Sequence, residues 1–202
     1  MIERTEPEKT TRPREVIEYD DNLELYLKQI GEIFNISDII EEPQEEPQIV
    51  NYYLSNKLTY RLLHNWAGFF HSGICYDGVY KKDDDLKEHA RIVERYIHET
   101  DAKSVLELGY GLGSNCAFLA RRNPSVKFEA IDMSNKPLRS FSKIPNLRFH
   151  CGDYHDLSRF EDATYDIAFI IEAFCYPKNK LRVLREVKKK LKPNGLLIIF
   201  DA

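Results

Sequence analysis

The sequence predicts an α/β fold: a parallel sheet of five strands with helices on its faces, preceded by a helical extension. Three observations carry this. From Ser104 short apolar runs alternate with stretches of helical period. Strand, helix and strand in series form right-handed βαβ units, which make a parallel sheet. A glycine-rich stretch, Gly109-Tyr110-Gly111-Leu112-Gly113, separates the first strand from the helix after it, where such sheets turn to meet a ligand.

Residues 1–20 are polar and broken by Pro7 and Pro13, which suits a disordered tail. Residues 21–103 read as a helical segment and lid. Leu23, Tyr26, Ile30 and Ile33 recur at helical spacing, and Glu42-Pro43-Gln44 with Glu46-Pro47-Gln48 makes an extended acidic linker. Val50, Leu54, Leu58 and Leu62 share one helical face, and a further helix follows an Asp83-Asp84-Asp85 cap with Leu86, Ala90, Val93 and Ile97 inward.

Residues 104–202 hold the sheet. The first strand is Val105 to Leu108, followed by a helix from Ser114 to Arg122 that stops at Asn123-Pro124. Val126 to Asp132 is the second strand, Ser134 to Ser142 a short helix, and Leu147 to Cys151 the third strand. Tyr165 to Ile171 is the fourth, Asn179 to Leu191 a helix, and Leu196 to Phe200 the fifth, entered through the turn Lys192-Pro193-Asn194-Gly195. The sequence ends just after that strand, so the expectation is a fragment of a longer protein, or self-association through the exposed strand-five edge.

Composition narrows the function classes. No apolar run approaches the roughly 20 residues of a membrane span, and the N-terminus has no secretory signal pattern, so the expected compartment is the cytoplasm. Cys75, Cys116, Cys151 and Cys175 form no CxxC pair and no metal-ligand spacing, so reduced thiols and no metal are expected. The net charge of −4 is uneven, because residues 1–50 hold 14 acids against 5 bases. The remaining positive charge is too dispersed for a nucleic-acid partner. Lys188-Lys189-Lys190 fits the last turn of a helix, where cations complement the dipole.

Chemistry concentrates at the strand ends. Glu107 stands two residues before Gly109, and Ser114 occupies the place where the dinucleotide fingerprint GxGxxG requires a third glycine, which argues against a dehydrogenase. Asp132 ends the second strand 19 residues after Gly113, near the spacing of a ribose-binding acid, although a strand-end Asp also caps helices. Gly152-Asp153-Tyr154 follows the third strand. An acid there can accept from an adenine amino group while the Tyr154 N–H meets a ring nitrogen, and an ordinary turn Asp is the alternative.

Taken together, residues 104–200 resemble a class I S-adenosylmethionine (SAM) dependent methyltransferase. The resemblance rests on Glu107-Leu108-Gly109-Tyr110-Gly111-Leu112-Gly113, Asp132, Gly152-Asp153, Asp166-Ile167-Ala168-Phe169 and Leu191-Lys192-Pro193-Asn194-Gly195. It implies a Rossmann-like strand order of 3-2-1-4-5, with the C-terminal strands of the usual fold missing, and S-adenosyl-L-methionine as cofactor. Gly109, Gly111 and Gly113 would surround its methionine part, with Glu107 holding the loop. Asp132, with Met133 beside it, would take the ribose, and Asp153 and Tyr154 the adenine.

Tyr52-Tyr53, Asn56, Tyr60 and His71-Ser72-Gly73 resemble the segment that lies over the cofactor in small-molecule methyltransferases of the sterol, tocopherol and fatty-acyl type. Glu172 matches the acid those enzymes carry after strand four. The implied activity is methyl transfer to a small-molecule acceptor, with Glu172 and His71 as candidate catalytic residues, Glu172 also near the cofactor, and His155 a further candidate base. Tyr52, Tyr53, Trp66 and Phe70 could wall the acceptor. The competing reading is a non-catalytic, methyltransferase-like subunit that binds SAM or a partner.

Overall fold

The computed structural model describes residues 23–33, 68–69, 71–76, 78–79, 81–133 and 141–201. The expected tail, the acidic linker, the helix through Val50 to Leu62, the aromatic residues Tyr52, Tyr53, Trp66 and Phe70, and most of the helix expected over Ser134 to Ser142 lie outside them; Phe141–Lys143 is a 3-10 turn. The chain divides into two units, Met1–Gln44 and Glu45–Ala202. In the first, α1 spans Leu23–Ile33, and its Leu25, Ile30 and Ile33 are exposed.

In the second unit the order is α2 (Lys82–Asp85), α3 (Glu88–Glu99), β1 (Ser104–Leu108), α4 (Ser114–Arg122), β2 (Lys127–Asp132), β3 (Leu147–Cys151), β4 (Tyr165–Ile171), α5 (Lys180–Lys190) and β5 (Leu191–Phe200). The five strands form one sheet in the order β3-β2-β1-β4-β5, and every pairing is parallel. This is the order that the resemblance implied.

The period-two alternation of each strand sorts its side chains onto two helical layers. Val105, Phe128, Ala130, Ile167, Phe169 and Ile171 face α3 and α4, packing with Val93, Ile97, Cys116 and Leu119. Leu106, Leu108, Ile131, Ala168 and Ile170 face the other way and pack with Val183 and Val187 of α5. Coverage on both faces explains why β1 and β4 read as nearly continuous apolar runs. The exception on β1 is Glu107, which shares the Val105 face and is 1% exposed.

Three local expectations are revised. The acids at 83–85 do not cap the long helix: α2 is a separate turn, Asp85 Oδ2 accepts from Lys81 N at 2.6 Å, and Asp84 pairs with Arg91 at 2.8 Å. Asn179 caps α5 from outside it, accepting from Arg182 N at 2.9 Å. The turn at 192–195 lies inside β5 as an irregularity, since Tyr165 pairs with Leu191 and Ile167 with Leu196. Gly195 is required there because an added Cβ would stand 3.0 Å from Lys192 O, 3.1 Å from Tyr165 O and 3.2 Å from Asp166 O.

Side-chain hydrogen bonds fix the lower edge of the sheet. Asp166 Oδ2 accepts from the backbone N–H groups of Lys103 and Ser104 and from Ser104 Oγ, and Lys192 Nζ reaches Oδ1 at 2.8 Å. Asn146 Nδ2 lies 3.0 Å from Ala120 O, 3.0 Å from Asn123 O and 2.8 Å from Val126 O, so one amide closes the end of α4 onto the start of β2. Asn146→Ala removes that donor and is expected to destabilise the chain by about 2 kcal/mol in urea unfolding. A loss below about 0.5 kcal/mol would show that those carbonyls find other partners.

Candidate functional site

The site is built where β1 ends and α4 begins. Gly109, Gly111 and Gly113 all have positive φ, at 74°, 55° and 85°, a region that side chains disfavour. The alternation points Tyr110 and Leu112 inward, at 4% and 1% exposure. Gly109 is also constrained by packing, because an added Cβ would stand 2.5 Å from the Cβ of Ala173. Gly113 is the N-cap of α4 and supplies no side-chain cap bond, so the first-turn N–H groups of that helix need another acceptor.

Glu107 provides it. Its Oε2 accepts from Cys116 N at 3.2 Å, the third helical position, and thus does from the neighbouring strand what an N-cap side chain does from within the helix. Burial pushes its carboxyl up to about 7, Asp132 adds to that push, and hydrogen bonds from Cys116 and Asn115 oppose it. Asp132 ties the other side of the loop, where its Oδ2 accepts from Gly111 N at 2.9 Å. Two carboxylates on adjacent strands therefore hold the loop and the first turn of the helix that follows it.

Gly68 and His71 meet the same helix end. Ser114 Oγ donates to Gly68 O at 2.8 Å, His71 Nε2 lies 3.1 Å from Asn115 Oδ1, and Ser72 N donates to Glu172 Oε1 at 2.9 Å. His71 is 5% exposed; its Nδ1 lies 2.8 Å from Ser72 O, and its ring stands edge-on to that of His89, with centroids 4.6 Å apart. Burial, with His71 adding to it, lowers the His89 imidazole to about 4. Glu172 takes a positive φ of 44°, and its N–H donates to Phe200 O at 2.7 Å. His71, through Asn115, and Glu172, through Ser72, thus tie residues 71–72 to the helix start and the end of β4.

The remaining expected residues stand along the same edge. Asp153 Oδ1 accepts from His155 N at 2.8 Å and lies 2.7 Å from His155 Nδ1, the geometry of the turn Asp that the sequence left open. Tyr154 is 8% exposed and its hydroxyl donates to Ala173 O at 3.0 Å. Met133 O lies 3.5 Å from Cys151 Sγ, which donates to it. Among the described residues no group of His, Cys, Asp or Glu is placed to hold a metal ion, and no helix is long and apolar enough to cross a membrane.

Residues 106–199 match the family described as "Methyltransferase domain". This stretch is similar to methyltransferase domains. Over 118 residues the chain is 33% identical to the demethylmenaquinone methyltransferase of Thermotoga maritima, covering 58% of this chain and 51% of that protein. Over 125 residues it is 30% identical to phthiotriol/phenolphthiotriol dimycocerosates methyltransferase 1 of Mycobacterium ulcerans, covering 59% and 45%. The chain spans about half the length of these curated relatives. In fold it is similar to coclaurine N-methyltransferase, solved with N-methylheliamine and SAH, at a TM-score of 0.57 and 19% identity over 86% of this chain and 50% of that one.

Sequence reasoning missed Asn115 and the contact of Ser114 with Gly68. The available signal was a pair of small polar residues directly after a glycine N-cap, at helix positions that the packing of α4 buries to 5% and 7% exposure.

The raised Glu107 carboxyl gives a prediction with a definite sign. An acid whose folded pKa, about 7, exceeds its ordinary 4.5 destabilises the fold increasingly as pH rises between those values. Glu107→Gln is therefore expected to stabilise the chain by about 3 kcal/mol at pH 8 and to match the parent near pH 4. Equal stability of the two proteins at pH 8 in urea unfolding would show that Glu107 is not held in this dry environment.

Proposed function

We propose that this chain carries a SAM-dependent methyltransferase site that acts on a small-molecule acceptor. The observation that supports it best is a pair of carboxylates at the carboxyl edge of a parallel sheet, Asp132 accepting from Gly111 N in the glycine loop and Glu107 from Cys116 N in the first turn of the helix that follows it. The donor set fits the cofactor. Asp132 adds to the cost of ionising Glu107, and a cationic ligand at the loop offsets that cost.

When bound, SAM supplies a methyl group on a positively charged sulfur. The chain's own residues bind, orient and exclude water. Gly109, Gly111 and Gly113 keep the loop open to the methionine part, and Glu107 holds the loop from beneath. Asp132, flanked by Met133, is assigned to the ribose, and the Asp153-Tyr154 turn to the adenine. The lid segment, fastened at Ser114, Asn115 and Glu172, closes the site against water, which strengthens the electrostatic contacts inside.

Glu172 and His71 are the candidate bases, and both also hold the lid segment: one carboxylate oxygen of Glu172 accepts from Ser72 N, and His71 Nε2 lies 3.1 Å from Asn115 Oδ1. The second reading is a domain that binds SAM without turnover. The two relatives named above extend the acceptor proposal to small molecules of the kinds their names give. A cytoplasmic setting and self-association belong to the same proposal; the support for the latter is that β5 is an edge strand with Ile199 37% exposed.

Calorimetric titration with SAM, followed by a methyl-transfer assay on a metabolite extract, tests the proposal. Binding together with labelled product is expected; binding without product favours the second reading, and no binding overturns both. Asp132→Ala is expected to weaken binding by about 2 kcal/mol, on the loss of charge-assisted hydrogen bonds. Gly111→Val is expected to abolish binding while helical content is kept, since a branched side chain at φ 55° fits neither the loop nor the ligand. A folded Gly111→Val protein with normal affinity would remove the loop from the site.

A further inference from the structure

The turn after β3 is pinned by three other parts of the sheet domain. Its start is tied to β2, since Gly152 N donates to Asp132 O at 3.0 Å. The Tyr154 hydroxyl donates to Ala173 O, just beyond β4, at 3.0 Å. The Tyr154 ring also lies beside the glycine loop, where a Cβ added to Gly109 would stand 3.8 Å from its Cε1. From α5, Arg182 Nε donates to His155 O at 2.9 Å, and Glu186 Oε2 accepts from Leu157 N at 3.3 Å. The backbone of the turn is thereby fixed next to Asp132 and the loop.

On that fixed backbone His155 acts on one side chain. Its N–H donates to Asp153 Oδ1 at 2.8 Å, and its ring Nδ1 lies 2.7 Å from the same oxygen. A carboxylate only accepts, so Nδ1 carries the proton. Both donors meet Oδ1, whereas Oδ2 has no hydrogen-bond partner among the described residues. The Asp153 side chain is 36% exposed and that of His155 14%, so the carboxylate is open to a ligand while the imidazole is largely covered. Two donors on one oxygen fix the plane of the carboxylate and leave Oδ2 as the acceptor on offer.

We propose that His155 is a positioning residue for the adenine end of the cofactor: by holding Oδ1 of Asp153 it presents Oδ2 to the exocyclic amine, and so gives the site its preference for an aminopurine. This rests on the SAM-binding reading and deepens it. Without the imidazole, Oδ1 keeps only the His155 N–H, and the carboxylate can turn towards water. The loss falls on the contact with the amine, because the contacts assigned to Asp132 and the glycine loop do not pass through His155. A substitution at 155 also spares the frame of the turn, since Arg182 binds the backbone carbonyl of that residue and Tyr154 binds Ala173.

Calorimetric titration with S-adenosylhomocysteine, and with an analogue that has hydrogen in place of the adenine amino group, tests this. The parent is expected to bind the adenine ligand at least about tenfold more tightly than the analogue. His155→Ala is expected to weaken the adenine ligand about tenfold and to leave the analogue within about twofold. His155→Asn, whose amide N–H can stand where Nδ1–H stands, is expected to restore the preference. Equal weakening of both ligands marks a merely structural role and overturns the proposal, as does unchanged affinity for both. If His155→Ala loses its fold by circular dichroism, His155→Leu decides in its place. Nitrogen-15 NMR of the ligand-free chain is expected to show a protonated Nδ1 on His155, and an unprotonated Nδ1 contradicts the proposal. A parent that binds the two ligands equally overturns this inference and leaves the proposed function standing; a parent that binds neither overturns the proposed function and this inference with it.

Discussion

The structure depends on one buried carboxylate. Gly113 gives α4 a glycine N-cap, which permits the tight turn but leaves the helix without a side-chain cap. Glu107 fills that role from the next strand, in a place where its charge is costly. The helix N-terminus favours that charge and burial opposes it. An apolar residue at 107 would suit the layer of Val105, Phe128 and Phe169 better, but it would leave the Cys116 N–H without this acceptor. The acid therefore trades stability for a loop held open with negative charge beneath it, a compromise typical of binding sites.

From that point the rest of the site follows in short steps. Asp132 fixes the far side of the loop through Gly111 N, while Ala173 packs so closely on Gly109 that β1 and β4 must end in register. The register of Leu108 with Ile170 and Ile131 brings the loops after three strands to one edge, the place where open α/β sheets bind their ligands. Gly68 and His71 are then held by polar contacts to the first turn of α4, the same helix end that Glu107 caps.

Much of this was legible in the sequence because it depends on local signals. Apolar runs of strand length, the Gly-x-Gly-x-Gly spacing and Asn123-Pro124 after a helical stretch each report on a few neighbouring residues, and they placed the five strands, while the strand order came from the family resemblance. Where the outcome depended on tertiary competition, the reading failed. Asp83 to Asp85 looked like a cap, but Arg91 and the backbone of Lys81 took two of those acids. The turn at 192–195 became part of β5 because β4 offered a partner on both sides of it. Asn115 was invisible for a similar reason: its partner, His71, is 44 residues away, and no periodicity links them.

The central claim, that an ionisable carboxylate beneath the glycine loop attracts a cationic cofactor, is measured most directly by carbon-13 NMR titration of the Glu107 carboxyl with and without SAM. The expected free-state midpoint is about 7, moving down when SAM binds, because a ligand that prefers the ionised form must by linkage favour ionisation. A Glu107 midpoint that is the same in the free and SAM-bound chain, or that rises on binding, would contradict it.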